Sequence, residues 1–206
     1  MATTELAIPS LKRDAESIAQ IEQTLVPNVA KTFKEPIPNL LAAFLGRIIF
    51  EDEKDVRGDS RFSMVLKAFK SFLDTSAFME FKSAIMPLVN EVKLPQIYTT
   101  DVGPIAVAEA VLTEFVRVEV GEDGENKKIA EEKWSVFCDA VKAVTGKVLS
   151  GMSVNVEIKT WMGVVGWDSE ESRQHTFSDS KVQHGLKELL EVGNSSDLVI
   201  DFQRLQ

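Results

Sequence analysis

The sequence predicts an α+β protein made of two tandem β-α-β-β-α-β units, and three observations carry that prediction. Short stretches recur about a hundred residues apart, which marks a duplicated domain rather than a solenoid repeat. Segments with alternating hydrophobicity, Met152 to Ile158 most clearly, are interleaved with segments of helical period such as Asn126 to Val144. Turn signals, among them Gly121-Glu122-Asp123-Gly124, separate the two kinds of segment.

The recurring stretches come in three pairs. Thr4-Glu5-Leu6-Ala7-Ile8 matches Thr113-Glu114-Phe115-Val116-Arg117. Phe62 to Ser71 matches Trp161 to Ser169, each an apolar strand that ends in an aromatic, a charge and a serine. Gln96 to Asp101 matches Leu198 to Phe202, which aligns Asp101 with Asp201 at the strand ends. The division that follows is a first repeat over 1–103, a linker over 104–112 and a second repeat over 113–206.

In the second repeat, Phe115 to Val120 is rich in valine and reads as a strand. The helix after it carries Ile129, Trp134, Phe137, Cys138, Val141 and Val144 on one face, and Gly146 stops it. Met152, Val154, Val156 and Ile158 alternate with polar residues as a strand, and Trp161 to Trp167 is the next. Asp168-Ser169 caps a helix from Glu170 that breaks near Ser178-Asp179-Ser180. Leu198 to Phe202 closes the sheet. In the first repeat, Ala15 to Phe33 is amphipathic with a kink expected at Pro27. Leu40 to Phe44 reads as a short helix or turn, Gly46 to Glu51 as a strand and Glu51 to Arg61 as a charged hairpin loop. Phe72 to Val89 marks the second helix, and Pro95 precedes the last strand.

Composition excludes several classes. The chain has 206 residues, one Cys, two His and a formal charge of −9. A single Cys forms no internal disulfide, and one Cys with two His builds no Cys/His zinc site. The acidic balance opposes nucleic-acid binding over the whole surface. No signal peptide and no apolar stretch of spanning length is visible, so a cytoplasmic location without membrane contact is expected. No P-loop, dinucleotide fingerprint or nucleophile-elbow serine is present. The acidic run Glu51-Asp52-Glu53 with Asp55 reads as a solvated hairpin.

Gly166-Trp167-Asp168-Ser169-Glu170-Glu171-Ser172 resembles the glycine, tryptophan, acid, serine pattern of the dimeric α+β barrel superfamily. That superfamily includes antibiotic-biosynthesis monooxygenases, stress-responsive A/B-barrel proteins and polyketide cyclases. The opening Thr-Glu is similar to that of fungal members. In the first copy, Phe69-Lys70-Ser71 departs from the pattern. The resemblance implies two ferredoxin-like repeats that form an intramolecular, pseudo-dimeric α+β barrel. It implies a pocket between sheet and helices or inside the barrel, and a His near position 175 that faces the cleft.

The candidate residues follow from chemistry. His175 and His184 are the only groups with an ordinary pKa near neutrality, and His175 is the candidate proton shuttle. Trp161 and Trp167 share one strand face and are candidate walls of a ring pocket, with core packing as the alternative. Ser153, Asn155 and Glu157 share the opposite periodicity and are a candidate pocket floor, Asn155 as a donor to an oxyanion or carbonyl; a solvent-facing strand is the alternative. Tyr98, the only tyrosine, is a candidate donor to a carbonyl, as the resemblance to cyclases implies. Cys138 is expected to be buried.

These residues point to a protein of specialised metabolism that binds a small hydrophobic or aromatic ligand. As an enzyme it would be a cofactor-independent monooxygenase, cyclase or isomerase. The alternatives are a non-catalytic stress-associated or ligand-binding barrel and a haem-binding member with His175 as axial ligand. No cofactor or metal is expected, and a monomer or weak homodimer is.

Overall fold

The computed structural model describes residues 2–33, 42–59, 62–67, 76–91, 95–121, 124–142 and 144–205. Strand β1 (Ala2–Ala7) leads through the short β2 (Ser10–Leu11) to helix α1 (Ala15–Gln20). The Asp14 carboxylate accepts from the Ser17 N–H at 2.9 Å and caps that helix. The helix passes through a π turn at Ile21–Leu25 into α2 (Val26–Thr32). There the Val26 N–H bonds the Ile21 carbonyl five residues back. Pro27 has no N–H to offer, so the helix changes register beside it instead of breaking.

Strand β3 (Ala42–Glu51) turns through Asp52 and Glu53, both at positive φ, into β4 (Lys54–Asp55). The chain continues through β5 (Phe62–Lys67), α3 (Ser76–Ile85), β6 (Val89–Glu91), β7 (Gln96–Thr100) and the short α4 (Ile105–Ala108). Strand β8 (Leu112–Glu119), α5 (Glu125–Val141), β9 (Val148–Ser153) and β10 (Thr160–Trp167) follow. Helix α6 (Glu170–Phe177), capped by Ser169, gives way to α7 (Ser180–Leu190), capped by Asp179, and β11 (Ser195–Arg204) ends the chain. The expected break at Ser178-Asp179-Ser180 is therefore a second cap. Gly146 follows α5 at φ +63, in the left-handed region that favours glycine.

All pairings in the main sheet are antiparallel, in the order β11-β8-β10-β9-β7-β1-β5-β3, and β11 also pairs with β3. That pairing curls the sheet into a ring, with β4 as a hairpin on β3. The runs β7-β1-β5-β3 and β11-β8-β10-β9 have the same strand order. The ring encloses an apolar interior that includes Leu6, Phe44, Tyr98, Phe115, Met162 and Ile200. Its outer face carries two further cores. One joins Val116, Trp161 and Trp167 to α5 and α7, and the other joins Ala43 to Ile21, Val29 and Phe33.

Segment 104–112, expected as a linker, contains α4, whose Val107 and Ala108 are part of the interior core. The Thr113 hydroxyl donates to the Val107 carbonyl at 2.8 Å. Gly166 lies against α4, where a Cβ would come within 3.1 Å of Val107 Cα. The segment closes one end of the ring.

Three expectations are corrected. Ala42 to Phe44 is strand, not helix or turn, and all three residues are buried. Strand β9 stops at Ser153, so Val154 to Ile158 forms the connection to β10, with Val154 and Ile158 exposed. Asp201 lies within β11 opposite Arg47, whereas Asp101 lies just beyond the end of β7, so the two do not mark matching strand ends. The stretch Phe69-Lys70-Ser71 lies outside the described residues.

The two runs meet at β9–β7 and β3–β11, and each meeting has a glycine opposite the partner strand. Gly151 faces Thr100, and Gly46 faces Phe202. A Cβ on Gly151 would lie 2.7 Å from the Thr99 carbonyl oxygen, which is backbone and cannot step aside. Gly151→Ala is expected to destabilise the fold by about 1–3 kcal/mol in a urea titration, because the seam must open to admit the methyl. An unchanged midpoint would show that the seam is not tightly packed.

Candidate functional site

The structure scatters the side chains that the sequence singles out. His175 is exposed on α6. His184 is exposed on α7, 3.6 Å from the Glu188 carboxylate. Trp161 and Trp167 do share a face, but it is the outer face beneath the helices. Trp161 meets Trp134 edge-on at 5.4 Å, and Trp167 lies 5.9 Å from Phe177. Both indoles are core, and the Trp167 N–H donates to Glu114 Oε2 at 2.6 Å.

Tyr98 points the other way, into the ring. Burial pushes its phenol up to about 12, and its hydroxyl donates to Gln96 Oε1 at 2.6 Å. Ser153 is buried and its hydroxyl accepts the Thr160 N–H at 2.8 Å, a hairpin-closing bond. Asn155 and Glu157 lie past the end of β9 and are exposed. The Asn155 amide accepts from the Ile97 N–H at 2.7 Å and donates to the Pro95 carbonyl at 2.8 Å, which fixes the start of β7. Cys138 is buried, and burial pushes its thiol up to about 12.

The helix-covered layer differs between the two runs. Over β8–β11 it is filled by Trp134, Phe137, Trp161, Trp167 and Phe177. A buried charge cluster lies at its edge. Glu114 accepts from Arg173 at 2.8 Å, and the Arg173 guanidinium stands over the Phe177 ring at 4.8 Å. Asp197, almost fully buried, is 4.0 Å from the same guanidinium and keeps one oxygen without a partner. Burial, and then the negative charge of Glu114, hold the Asp197 carboxyl well above its usual range.

A haem does not fit this layer. The aromatic side chains occupy it, and His175 stands outside it in solvent. Among the described residues, no group of three or more His, Cys, Asp or Glu is placed to hold a metal ion.

Over the first run there is open space. A cavity of about 350 Å³ lies between α2 and α3, lined by Leu25, Asn28, Val29, Lys31, Thr32, Glu80, Phe81 and Ala84. Its apolar wall is continuous with the core that holds Ile21, Val29 and Phe33. Lys31 and Glu80 are exposed at its rim. Strand β1, in the centre of this run, places Glu5 on the helix side, between the interior residues Thr4 and Leu6. Glu5 is 4 % exposed, and burial alone pushes its carboxyl up to about 8. It is the counterpart of Glu114 in the repeated Thr-Glu pair, but without the arginine.

No protein-family model matches the chain, and no curated protein matches it in sequence. Solved structures do match it in fold. A candidate monooxygenase from Fusobacterium nucleatum superposes with a TM-score of 0.62 at 10 % identity, over 98 % of this chain and 93 % of that one. An anthrone oxidase-like protein gives 0.60 at 12 % identity, over 98 % and 91 %. A candidate monooxygenase from Lactobacillus acidophilus gives 0.56 at 10 % identity, over 100 % and 95 %. At these identities the likeness establishes a shared fold alone, the α+β barrel described above. Among the described residues no helix is long and apolar enough to cross a membrane.

Sequence reasoning missed the cavity, Glu5, and the Glu114–Arg173–Asp197 cluster. The cavity has no sequence signal, because its walls are ordinary amphipathic helix residues. A signal for Glu5 and Glu114 was present: a glutamate at a core-facing strand position, twice, in the same dipeptide.

Proposed function

We propose that this chain is a tandem-repeat α+β barrel that binds a small, mainly apolar organic molecule in the cavity between α2 and α3. The cavity carries the reading. Its volume falls at the lower end of the range of small-molecule sites, and its wall pairs the apolar Leu25, Val29, Phe81 and Ala84 with the polar Asn28, Lys31, Thr32 and Glu80. It lies in the run opposite the one that holds both histidines. Its ionisable lining is Lys31 and Glu80, so a binding role fits it better than proton transfer through His175. The neighbours named as monooxygenases or as anthrone oxidase-like support an organic small molecule as the ligand class.

The seam register supports the tandem reading. When Thr4 is matched to Thr113, β1 opposite β7 and β8 opposite β11 match Tyr98 to Ile200. The pairings through β5 and β10 then match Gly46 to Gly151, each opposite the equivalent residue of the other run. On this reading 1–103 and 113–206 are copies, 104–112 is the plug between them, and the closed ring is a dimer made within one chain.

Binding is tested with N-phenylnaphthylamine, an uncharged apolar fluorophore. Saturable binding is expected for the native protein. Ala84→Trp, which fills the cavity from α3, is expected to weaken it at least about tenfold with the melting temperature unchanged. Equal binding by native protein and variant would remove the cavity from consideration.

A further inference from the structure

Arg117 is unlike the other described arginines. Arg13, Arg47, Arg57, Arg173 and Arg204 each lie within ion-pair distance of a carboxylate. Arg117 has only neutral partners, in a chain with 32 acidic and 23 basic side chains. Strand β8 turns Thr113, Phe115 and Arg117 toward the ring interior, so this guanidinium is partly buried at the end opposite the α4 plug. Its Nε and one terminal nitrogen donate to the Ser196 hydroxyl at 3.1 and 2.9 Å, and the other terminal nitrogen donates to Gln96 Oε1 at 3.3 Å. Those bonds use three of its five N–H groups, and the Tyr98 phenol is a further neutral neighbour of the guanidinium.

A partly buried cation held by neutral groups alone loses hydration without gaining a counter-charge. The surroundings nonetheless hold it still. Ser196 takes two of its donors. Gln96 is fixed by the Tyr98 hydroxyl at 2.6 Å, and Asn155 clamps the backbone on either side of Gln96. Met162 stands opposite Arg117 on β10, which puts apolar surface beside the guanidinium, and Ile8 and Val56 pack against the same interior core. We propose that the end of the ring opposite α4 is a second ligand site that takes the carboxylate of a small organic acid. Arg117 forks onto the two oxygens, and the carbon body rests against Ile8, Val56 and Met162. A carboxylate matches the planar fork of a guanidinium and supplies the missing charge.

The probe is benzoate, with benzamide as its uncharged isostere, titrated calorimetrically at low ionic strength. Benzoate is expected to bind the native protein at least about tenfold more tightly than benzamide. It is expected to shift the Arg117 Nε resonance in nitrogen-15 spectra. Arg117→Gln should abolish binding, and Arg117→Lys, which keeps the charge without the fork, should weaken it. Ala84→Trp should leave it unchanged, which separates this site from the α2–α3 cavity. The proposal falls if native protein ignores benzoate, if benzamide binds equally, or if Arg117→Lys and native protein bind alike with no shift at Arg117. It also falls if Ala84→Trp abolishes benzoate binding, since the acid then occupies the other cavity.

Discussion

Replacing Glu5 with glutamine is expected to stabilise the protein by about 2 kcal/mol at pH 8 and to destabilise it by about 2 kcal/mol near pH 4. The carboxyl is 4 % exposed, and burial moves it from 4.5 in the ordinary state to about 8 in the folded one. The folded state therefore binds this proton more tightly than the unfolded state does. The stability that Glu5 contributes is full below pH 4.5, falls as the pH rises from 4.5 to 8, and levels off above 8. Each pH unit in that window costs at most about 1.4 kcal/mol, so the full span is on the order of 4–5 kcal/mol. A buried amide without a partner gives back about 1–3 kcal/mol of that gain. Asp197 is also held above its usual range, so it adds to the same slope in both proteins and cancels in the comparison. Urea titrations of native protein and Glu5→Gln at pH 4.5, 6 and 8 measure the difference. Parallel pH profiles would mean that Glu5 is ionised in the fold and that its burial has been offset.

Glu5 also shows why the site was less legible than the fold. The duplicated Thr-Glu is visible in the sequence and marks the first strand of each run. What separates the two glutamates is a long-range partner: Arg173 reaches Glu114 from α6, 59 residues away in the chain. No spacing rule predicts such a contact. The candidates were chosen by chemical type, and type does not say which way a side chain points. His175 is on the predicted helix but turned to solvent. Trp161 and Trp167 are on the predicted strand face, and that face is under helices that fill the space with their own aromatics.

Burial on both faces hides the start of β3 from periodicity, whereas β10, buried at every position, is legible from its valines and tryptophans. Ala42, Ala43, Phe44, Ile48 and Ile49 are all buried because β3 has the ring interior on one side and α2 or the Trp167 core on the other. Such a run has no alternation, so periodicity cannot tell it from a helix. The opposite error befell Val154 to Ile158. Its alternation is genuine, but β10 pairs with β9 only as far as Met152 opposite Trp161, and the remaining residues are spent on the turn. Local pattern proposed a strand, and the length of the partner strand decided where it ended.

Arg173→Ala is expected to cost about 3–5 kcal/mol at pH 7 and much less at pH 4.5. The guanidinium is 14 % exposed, and the two carboxylates it serves, Glu114 and Asp197, are 1 % and 3 % exposed. Removing it leaves Glu114 with the Trp167 N–H as its one described donor and no counter-charge, beside a second buried acid. Glu114 must then either carry an unpaired charge or take up a proton. The folded state of the variant binds that proton more tightly than its unfolded state, so the penalty grows as the pH rises and disappears below the ordinary carboxylate range. Part of the loss is independent of pH, because the guanidinium also covers the Phe177 ring at 4.8 Å. The double variant Arg173→Ala with Glu114→Gln separates the two contributions. If the unpaired carboxylate dominates, the second substitution restores most of the stability at pH 7. If packing dominates, the loss is the same at both pH values and the double variant is no better than the single. Restoration would also give a physical reason for the asymmetry between the two runs of strands. In the second run, arginine and tryptophan fill and neutralise the layer under the helices. In the first, Glu5 has no arginine partner among the described residues, and a cavity lies between the helices α2 and α3.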